Sequence, residues 1–187
     1  MTDKLYIPVL LGTTREGRYS EHVARMITAH AKDRDYLGLE LFDVRDFNFP
    51  LDDEGQAIKD KNTKWRDAIV KADGLIIVSP EYNHGYPGSL KMALDTLLKE
   101  YIHKPVALCG VSAGGFGGCR VIEQLVGVVR ELGLAVTFRD LNVSHVQKMF
   151  SEDGVLQDES VLKRVDEMLD ELEWMSKALK WGRDNLK

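Results

Sequence analysis

The sequence predicts an α/β fold in which a parallel β-sheet is covered by helices on both faces. Short apolar runs of strand length alternate along the chain with longer stretches whose apolar residues recur at helical spacing. No internal repeat, low-complexity tract or linker interrupts this alternation. Strands that alternate with helices form parallel sheets, because parallel neighbours need a crossover connection.

Five strands and five helices are expected. The predicted strands are Leu5–Leu11, Leu39–Val44, Leu75–Val78, Val106–Gly110 and Leu134–Phe138. The predicted helices carry apolar stripes over residues 23–31, 65–72, 90–101, 121–132 and 160–181, and a solvated loop is expected over 46–55. This pattern is typical of a flavodoxin-like three-layer sandwich with a five-stranded parallel sheet in the order 2-1-3-4-5. We expect residues 1–187 to form a single domain of this kind.

Composition excludes several classes of function. The 25 Lys and Arg residues against 30 Asp and Glu give a formal net charge of −5, so no basic surface for nucleic acid is indicated. No apolar run has membrane-spanning length, and the N-terminal residues lack a signal-peptide layout. The two cysteines do not suggest a disulfide framework. A cytoplasmic protein without membrane or nucleic-acid partners is expected.

Ligands in doubly wound sheets bind beyond the carboxyl ends of the strands, and three loops at such ends have unusual compositions. Loop one, residues 12–20, reads Gly-Thr-Thr-Arg-Glu-Gly-Arg-Tyr-Ser. Amides at a helix N-terminus, hydroxyl groups and guanidinium groups all suit a phosphate. An ordinary turn with Ser20 as N-cap is the alternative.

Loop one lacks the residues that two classes of phosphate-containing ligand require. Arg18 and Tyr19 stand where a P-loop has its lysine and its metal-binding hydroxyl residue. A Gly-x-Gly-x-x-Gly fingerprint is also absent after the first strand. A mononucleotide is therefore favoured over a nucleoside triphosphate or a dinucleotide.

Loop two, residues 79–91, reads Ser-Pro-Glu-Tyr-Asn-His-Gly-Tyr-Pro-Gly-Ser-Leu-Lys. A rigid loop with backbone amides and an aromatic ring suits a flat heterocycle, although a turn in which Pro87 starts the next helix is the alternative. Loop three, residues 111–120, has four glycines among five consecutive residues. Such density indicates a close approach to the backbone, with a flexible turn as the alternative.

The run Pro80-Glu81-Tyr82-Asn83, followed by Pro-Gly-Ser-Leu-Lys at 87–91, resembles the signature of the NADPH-dependent FMN reductase family, which includes flavin, quinone, chromate and azo-dye reductases. Loop one resembles that family's phosphate loop, and the resemblance extends over essentially the whole chain. It implies FMN as cofactor and NADPH or NADH as co-substrate. The residues that it implies as cofactor contacts are Thr13, Arg15, Arg18 and Ser20 for the phosphate, Pro80, Glu81, Tyr82 and Asn83 for the isoalloxazine and ribityl chain, and Ser112, Gly114 and Gly115 for the pyrimidine edge.

The resemblance predicts an oxidoreductase that passes hydride from nicotinamide to flavin N5 and then to a small-molecule electron acceptor, namely a quinone, flavin, azo compound or metal ion. The flavin carries the redox chemistry, so no catalytic acid or base is assigned. The five histidines lack metal-ligand spacing, and only His84 lies in a site loop. Cys109 and Cys119 are interpreted as small packed thiols.

A flavodoxin-type one-electron carrier without nicotinamide activity is the alternative function. Arg15 and the Pro-Glu-Tyr-Asn run, in place of acidic aromatic loops, favour the reductase. A homodimer or homotetramer is also expected, because helices three and four have more apolar surface than one sheet face requires. The residues concerned are Leu90, Met92, Leu94, Leu97, Leu98, Tyr101, Val121, Val126, Val128, Val129 and Leu132.

Overall fold

A computed structural model describes residues 4–49, 58–151 and 153–186. Six strands form one parallel sheet. Their bounds are β1 (Leu5–Leu11), β2 (Leu37–Asp43), β3 (Leu75–Pro80), β4 (Pro105–Val111), β5 (Ala135–Val136) and β6 (Leu141–Val143). The strand order is β2-β1-β3-β4-β5, and β6 also pairs with β4. The predicted flavodoxin-like order 2-1-3-4-5 is confirmed. Of the loop predicted over 46–55, residues 50–55 lie outside the described ranges.

Helices cover both faces of the sheet. Their bounds are α1 (Tyr19–His30), α2 (Ile58–Lys61), α3 (Thr63–Lys71), α4 (Gly88–Asp95), α5 (Cys119–Glu131) and α6 (Ser160–Asn185). Side chains of β1, β3 and β4 alternate between two apolar cores, as the two-residue period of a strand requires. One core contains the buried residues of α1 and α6, and the other contains those of α3, α4 and α5. No helix within the described ranges is long and apolar enough to cross a membrane.

The fifth strand position is filled by two short segments where one strand, Leu134–Phe138, was predicted. β5 pairs with Pro105 and Val106, whereas β6 pairs with the other end of β4. Between them the chain leaves the sheet, with Phe138 81% exposed. The apolar run that predicts a strand ends there, since the charged pair Arg139 and Asp140 follows.

The third predicted helix is shorter than its apolar stripe. α4 ends at Asp95, and a 3-10 turn over Lys99–Tyr101 continues the burial of apolar residues without continuing the helix. Leu98, which the helical stripe included, is 57% exposed. The fully buried Tyr101 hydroxyl accepts a hydrogen bond from the Trp65 indole at 3.2 Å. Periodicity therefore identified most of the buried residues, with Leu98 as an exception, but not the backbone that buries them.

One glycine within β4 and one in loop three are required by packing within the protein. Gly118 has a φ of +74°, and a Cβ atom there would lie 2.6 Å from the Val111 backbone nitrogen. A Cβ atom on Gly110 would in turn lie 2.5 Å from the Gly118 carbonyl oxygen. By contrast, a Cβ atom on Gly114 would have no neighbour within 4 Å. Glycine is therefore required by internal packing at some positions of loop three and not at others.

We expect Gly118→Ala to lower the free energy of unfolding by about 1–3 kcal/mol, because alanine is strained at this φ and its Cβ displaces backbone. Gly114→Ala is the matched control and should change it by less than about 0.5 kcal/mol. Urea denaturation of the two variants measures the difference. Equal stabilities would contradict the assignment of Gly118 to internal packing.

Candidate functional site

The three loops predicted to form the site meet at one edge of the sheet. Parallel pairing places Leu11 opposite Val78 and Pro80 opposite Val111, so loops one, two and three leave the sheet side by side. The Glu81 amide donates to the Val111 carbonyl at 3.0 Å and extends this alignment one residue beyond β3. The edge is therefore defined by the ends of β1, β3 and β4.

Side chains connect loop one to loop two. The hydroxyl groups of Thr13 and Tyr82 lie 2.8 Å apart and share a hydrogen bond. The Arg15 guanidinium carbon lies 4.5 Å from the centre of the Tyr82 ring, in cation–π contact. The Ser89 hydroxyl, at the start of α4, donates to the Gly12 carbonyl at 3.2 Å. Predicted phosphate residues and predicted ring residues thus contact one another directly.

The start of α1 presents donors without protein partners. Ser20 is the second residue of α1 and not its N-cap, which is Arg18. Its hydroxyl is buried, at 2% residue exposure, and has no hydrogen-bond partner among the described residues. Within the same ranges, the loop-one amides of Thr14, Glu16 and Gly17 also donate to no protein acceptor. Buried polar groups are normally paired, so the buried Ser20 hydroxyl indicates a ligand acceptor, and the amides of the exposed residues Thr14, Glu16 and Gly17 can donate to the same anion.

Arg18 has a different environment from Arg15. Its side chain is 3% exposed and forms ion pairs with Asp43, at the end of β2, and with Glu21 of α1. It also donates to the Thr13 carbonyl. A hydrogen bond from Arg25 and the positive charge of Arg18 hold the pKa of Glu21 below its ordinary value. Arg18 is therefore engaged by protein acceptors within loop one and its neighbours.

Loop two turns tightly after Tyr82. Tyr82 and Gly85 exchange two backbone hydrogen bonds of 2.9 Å, and the two residues between them have φ values of +50° and +66°. Two consecutive positive φ values are the geometry of a type I′ turn, for which asparagine is well suited. Asn83 and His84 are exposed at its tip. The predicted contact residue Asn83 thus also has a conformational role.

Glu81 connects loop two to loop three. Its Oε1 atom accepts a hydrogen bond of 3.3 Å from Arg120, the second residue of α5. Arg120 also lies over the exposed ring of Phe116, 4.6 Å from its centre. The Glu81 Oε2 atom is buried and has no partner within the described part of the chain. A carboxylate oxygen is therefore available to a ligand donor at this edge.

Loop three presents backbone to open space at the predicted positions. A Cβ atom on Gly115 would meet only His145, at 3.6 Å, and one on Gly114 would meet nothing within 4 Å. The Ser112 hydroxyl donates to the Gly114 carbonyl at 2.9 Å, and the Ser112 amide donates to the Val143 carbonyl of β6 at 3.0 Å. The loop is thereby fixed while its glycine backbone stays accessible.

Three residues at this edge were missed by sequence reasoning. Asp43 is the last residue of β2, Arg45 follows that strand, and His145 follows β6. The His145 amide donates to the Gly114 carbonyl at 3.1 Å. The strand order could have indicated Asp43, because β2 borders β1 and its carboxyl end lies beside loop one. His145 had no comparable signal, since the sixth strand was not predicted.

Metal and thiol chemistry find no support here. No group of three or more His, Cys, Asp or Glu side chains suitable for a metal ion occurs within the ranges that the structure describes. Cys109 and Cys119 are free thiols. Burial in β4 raises the pKa of Cys109, which disfavours its reactive thiolate form.

The residues present fit FMN. Hydroxyl, amide and guanidinium donors at the start of α1 suit its terminal phosphate. An open glycine backbone and a buried carboxylate oxygen suit the hydrogen-bonding edge of a flat ring. The direct link between Thr13 and Tyr82 places these two halves next to each other.

Comparison with known proteins agrees with this geometry. Residues 5–148 match the NADPH-dependent FMN reductase family. The chain is 34% identical over 171 residues to the NAD(P)H-dependent FMN reductase ntnL of Nectria sp, covering 82% of this chain and 84% of that protein. It is 32% identical over 124 residues to a quinone reductase of Pseudomonas putida, covering 63% and 66% respectively.

A solved structure has the same fold. The flavoenzyme NAD(P)H:(acceptor) oxidoreductase FerB from Paracoccus denitrificans superposes with a TM-score of 0.78 at 21% identity, covering 92% of this chain and 97% of that one. The family match spans β1 to the turn after β6, and so includes all three loops. The predicted family is confirmed, and with it the prediction of an FMN-dependent oxidoreductase that uses a nicotinamide nucleotide: the chain belongs to the NADPH-dependent FMN reductase family.

Proposed function

We propose that this protein binds FMN across loops one, two and three and passes hydride from NADPH or NADH to a small-molecule acceptor. The observation that carries the proposal is the cluster of unpartnered donors at the start of α1, centred on the buried Ser20 hydroxyl. An anion with several acceptor oxygens would satisfy these donors together. Thr13 of the same loop shares a hydrogen bond with Tyr82 of loop two, so these donors lie beside the residues predicted to contact the ring.

We assign the phosphate to Thr13, Arg15 and Ser20, together with the loop-one amides. Arg15 is exposed and makes a ring contact but no ion pair within the described ranges. Its guanidinium can therefore turn to a phosphate without losing a carboxylate partner. Bidentate binding of two phosphate oxygens is the geometry for which arginine is suited.

We assign the isoalloxazine and ribityl chain to Pro80, Glu81, Tyr82 and Asn83, and the pyrimidine edge to loop three. The loop-three contacts are Ser112, Gly114 and Gly115. An N–H group of the ring edge would satisfy the buried Glu81 Oε2 atom. Amides of the open glycine backbone would stabilise negative charge on the reduced ring, because they are oriented before that charge develops.

Bound FMN supplies the hydride acceptor and donor, and the chain supplies placement. No side chain at the site is assigned as a catalytic acid or base. The similarity to a quinone reductase favours quinones among the acceptors; free flavins, azo compounds and metal ions are the other acceptor classes expected of this family. We also propose a cytoplasmic location, which the free thiols of Cys109 and Cys119 support, and a single domain, which is supported by one sheet that contributes to both apolar cores.

We also propose a homodimer or homotetramer. Most of the apolar stripe of α4 and α5 is buried inside the subunit, but Leu98, Ile102 and Val126 are 57%, 43% and 39% exposed. Ile102 contacts the turn after α5, since a Cβ atom on Gly133 would lie 2.9 Å from it. An exposed apolar surface of this kind commonly marks a subunit contact.

Replacing Arg15 with alanine should weaken FMN binding about tenfold or more, since a charge-assisted hydrogen bond contributes about 1.5–3 kcal/mol. Riboflavin, which lacks the phosphate, should bind the variant as it binds the wild type. Quenching of flavin fluorescence measures both affinities. Arg25→Ala is the control, because it removes the same charge from the exposed side of α1. Unchanged FMN affinity in Arg15→Ala would refute the phosphate assignment.

Anaerobic NADPH or NADH should bleach the bound flavin in one two-electron step, and a quinone should restore its colour with ping-pong kinetics. Stopped-flow absorbance spectra follow both half-reactions. A protein that ignored both nicotinamide nucleotides and accumulated the long-wavelength band of the one-electron state would be a flavodoxin-type carrier.

Light scattering at micromolar concentration should give a multiple of the 21.1 kDa subunit mass. Val126→Glu should shift the protein toward the monomer, because it places a charge in the apolar contact. Val155→Glu, at a residue 60% exposed in the segment before α6, serves as control. A fully active, FMN-loaded wild-type monomer would overturn the proposed assembly.

A further inference from the structure

Two arginines hold three consecutive carbonyl groups of loop one. Arg18 donates to the Thr13 carbonyl through Nη1. Arg45 donates through Nε to the Thr14 carbonyl at 3.2 Å and through Nη2 to the Arg15 carbonyl at 2.6 Å. The carbonyl oxygens of residues 13–15 are therefore all occupied by guanidinium donors.

Asp43 anchors both arginines. Its carboxylate pairs with both terminal nitrogens of Arg18, and it also accepts from the Arg45 amide at 2.9 Å. The remaining donors of Arg18 go to Glu21. Because Asp43 lies opposite Leu11 in the sheet, this anchor is fixed at the point where loop one begins.

The hydrogen bonds from Arg18 and Arg45 to the carbonyls of residues 13–15 determine the direction of the amides that follow. In a planar trans peptide, the carbonyl of one residue and the N–H of the next point in opposite directions, and no cis peptide occurs in the described chain. The N–H groups of residues 14–16 therefore point away from the arginines. The Arg15 backbone amide donates to the Thr13 hydroxyl at 3.3 Å, whereas the backbone amides of Thr14 and Glu16 have no acceptor within the described ranges. Successive amides that face one way attract anions.

We propose that Arg18 and Arg45, anchored on Asp43, are positioning residues for the FMN phosphate. They do not contact the phosphate. They hold the carbonyl oxygens of loop one away from it, and this turns the loop amides toward it. This inference rests on the proposed binding of FMN, and for Arg18 it replaces the direct phosphate contact expected from sequence.

Asp43→Asn provides the sharpest test because charge and positioning predict opposite results. Removing a negative charge near a phosphate strengthens binding if charge alone matters. It also strengthens binding if the released Arg18 can turn to the phosphate. If Asp43 instead holds the loop, its loss weakens FMN binding, by about tenfold. Riboflavin binding should be unchanged, and thermal unfolding of the flavin-free variant should remain cooperative.

Arg45→Ala is the second variant, and because Arg45 is exposed the fold should tolerate its loss. We expect FMN affinity to fall about fivefold in 0.1 M and 0.5 M salt alike, because carbonyl hydrogen bonds are less screened than long-range charge. Arg25→Ala is the matched control, with the same loss of charge from an exposed side chain paired with Glu21. Its FMN affinity should remain near that of the wild type.

The outcomes distinguish this inference from the proposed function. Wild-type protein that binds no FMN would refute the proposed function and the inference with it. Wild-type binding with unchanged or tighter FMN binding in Asp43→Asn would refute the inference alone. Equal losses of FMN and riboflavin affinity in Arg45→Ala would also refute it, because the residue would then support the whole site and not the phosphate loop.

Discussion

The parallel pairing of β1 with β2 on one side and β3 on the other is the constraint on which the site depends. It places the ends of three strands, and the loops that follow them, at one edge of the sheet. β4 extends the same edge through Pro80 and Val111. Because β1, β3 and β4 are buried on both faces, the centre of the sheet cannot slip without exposing apolar residues. The points at which the three loops leave the sheet are therefore fixed by the core.

Two arginines at this edge, Arg18 and Arg15, differ in burial and in partners. Arg18 is buried and fully engaged by carboxylates and a carbonyl, whereas the Arg15 guanidinium is exposed and, among the described residues, contacts only a ring. A buried guanidinium without partners would be costly, so Arg18 needs Asp43 and Glu21. The exposed Arg15 has no such requirement and is available for a ligand. Two arginines three residues apart thus have different chemical uses because their burial differs.

The glycines of loop three also differ in their surroundings. Gly118 is required by a positive φ and by the approach of Val111, while Gly114 leaves open backbone. The sequence indicates only a close approach to the backbone in this group of four, and the family resemblance implies cofactor contacts for Gly114 and Gly115 alone. Only the surroundings of each Cα distinguish internal packing from ligand access, and those surroundings come from β4 and β6. A dense glycine motif therefore overstates the surface that is free for a ligand.

The sequence alone determined the fold class, the strand order, the three loops and the family, because these depend on local patterns and short motifs. Tertiary structure decided what depends on neighbours distant in the chain. Asp43 joins loop one only because β2 pairs with β1, and no local pattern records that pairing. The end of α4 at Asp95 and the division of the fifth strand likewise depend on packing, and they leave Leu98 and Phe138 exposed although the apolar pattern includes both. Most of the buried residues are therefore readable from the sequence, whereas the partner of a buried charge is not.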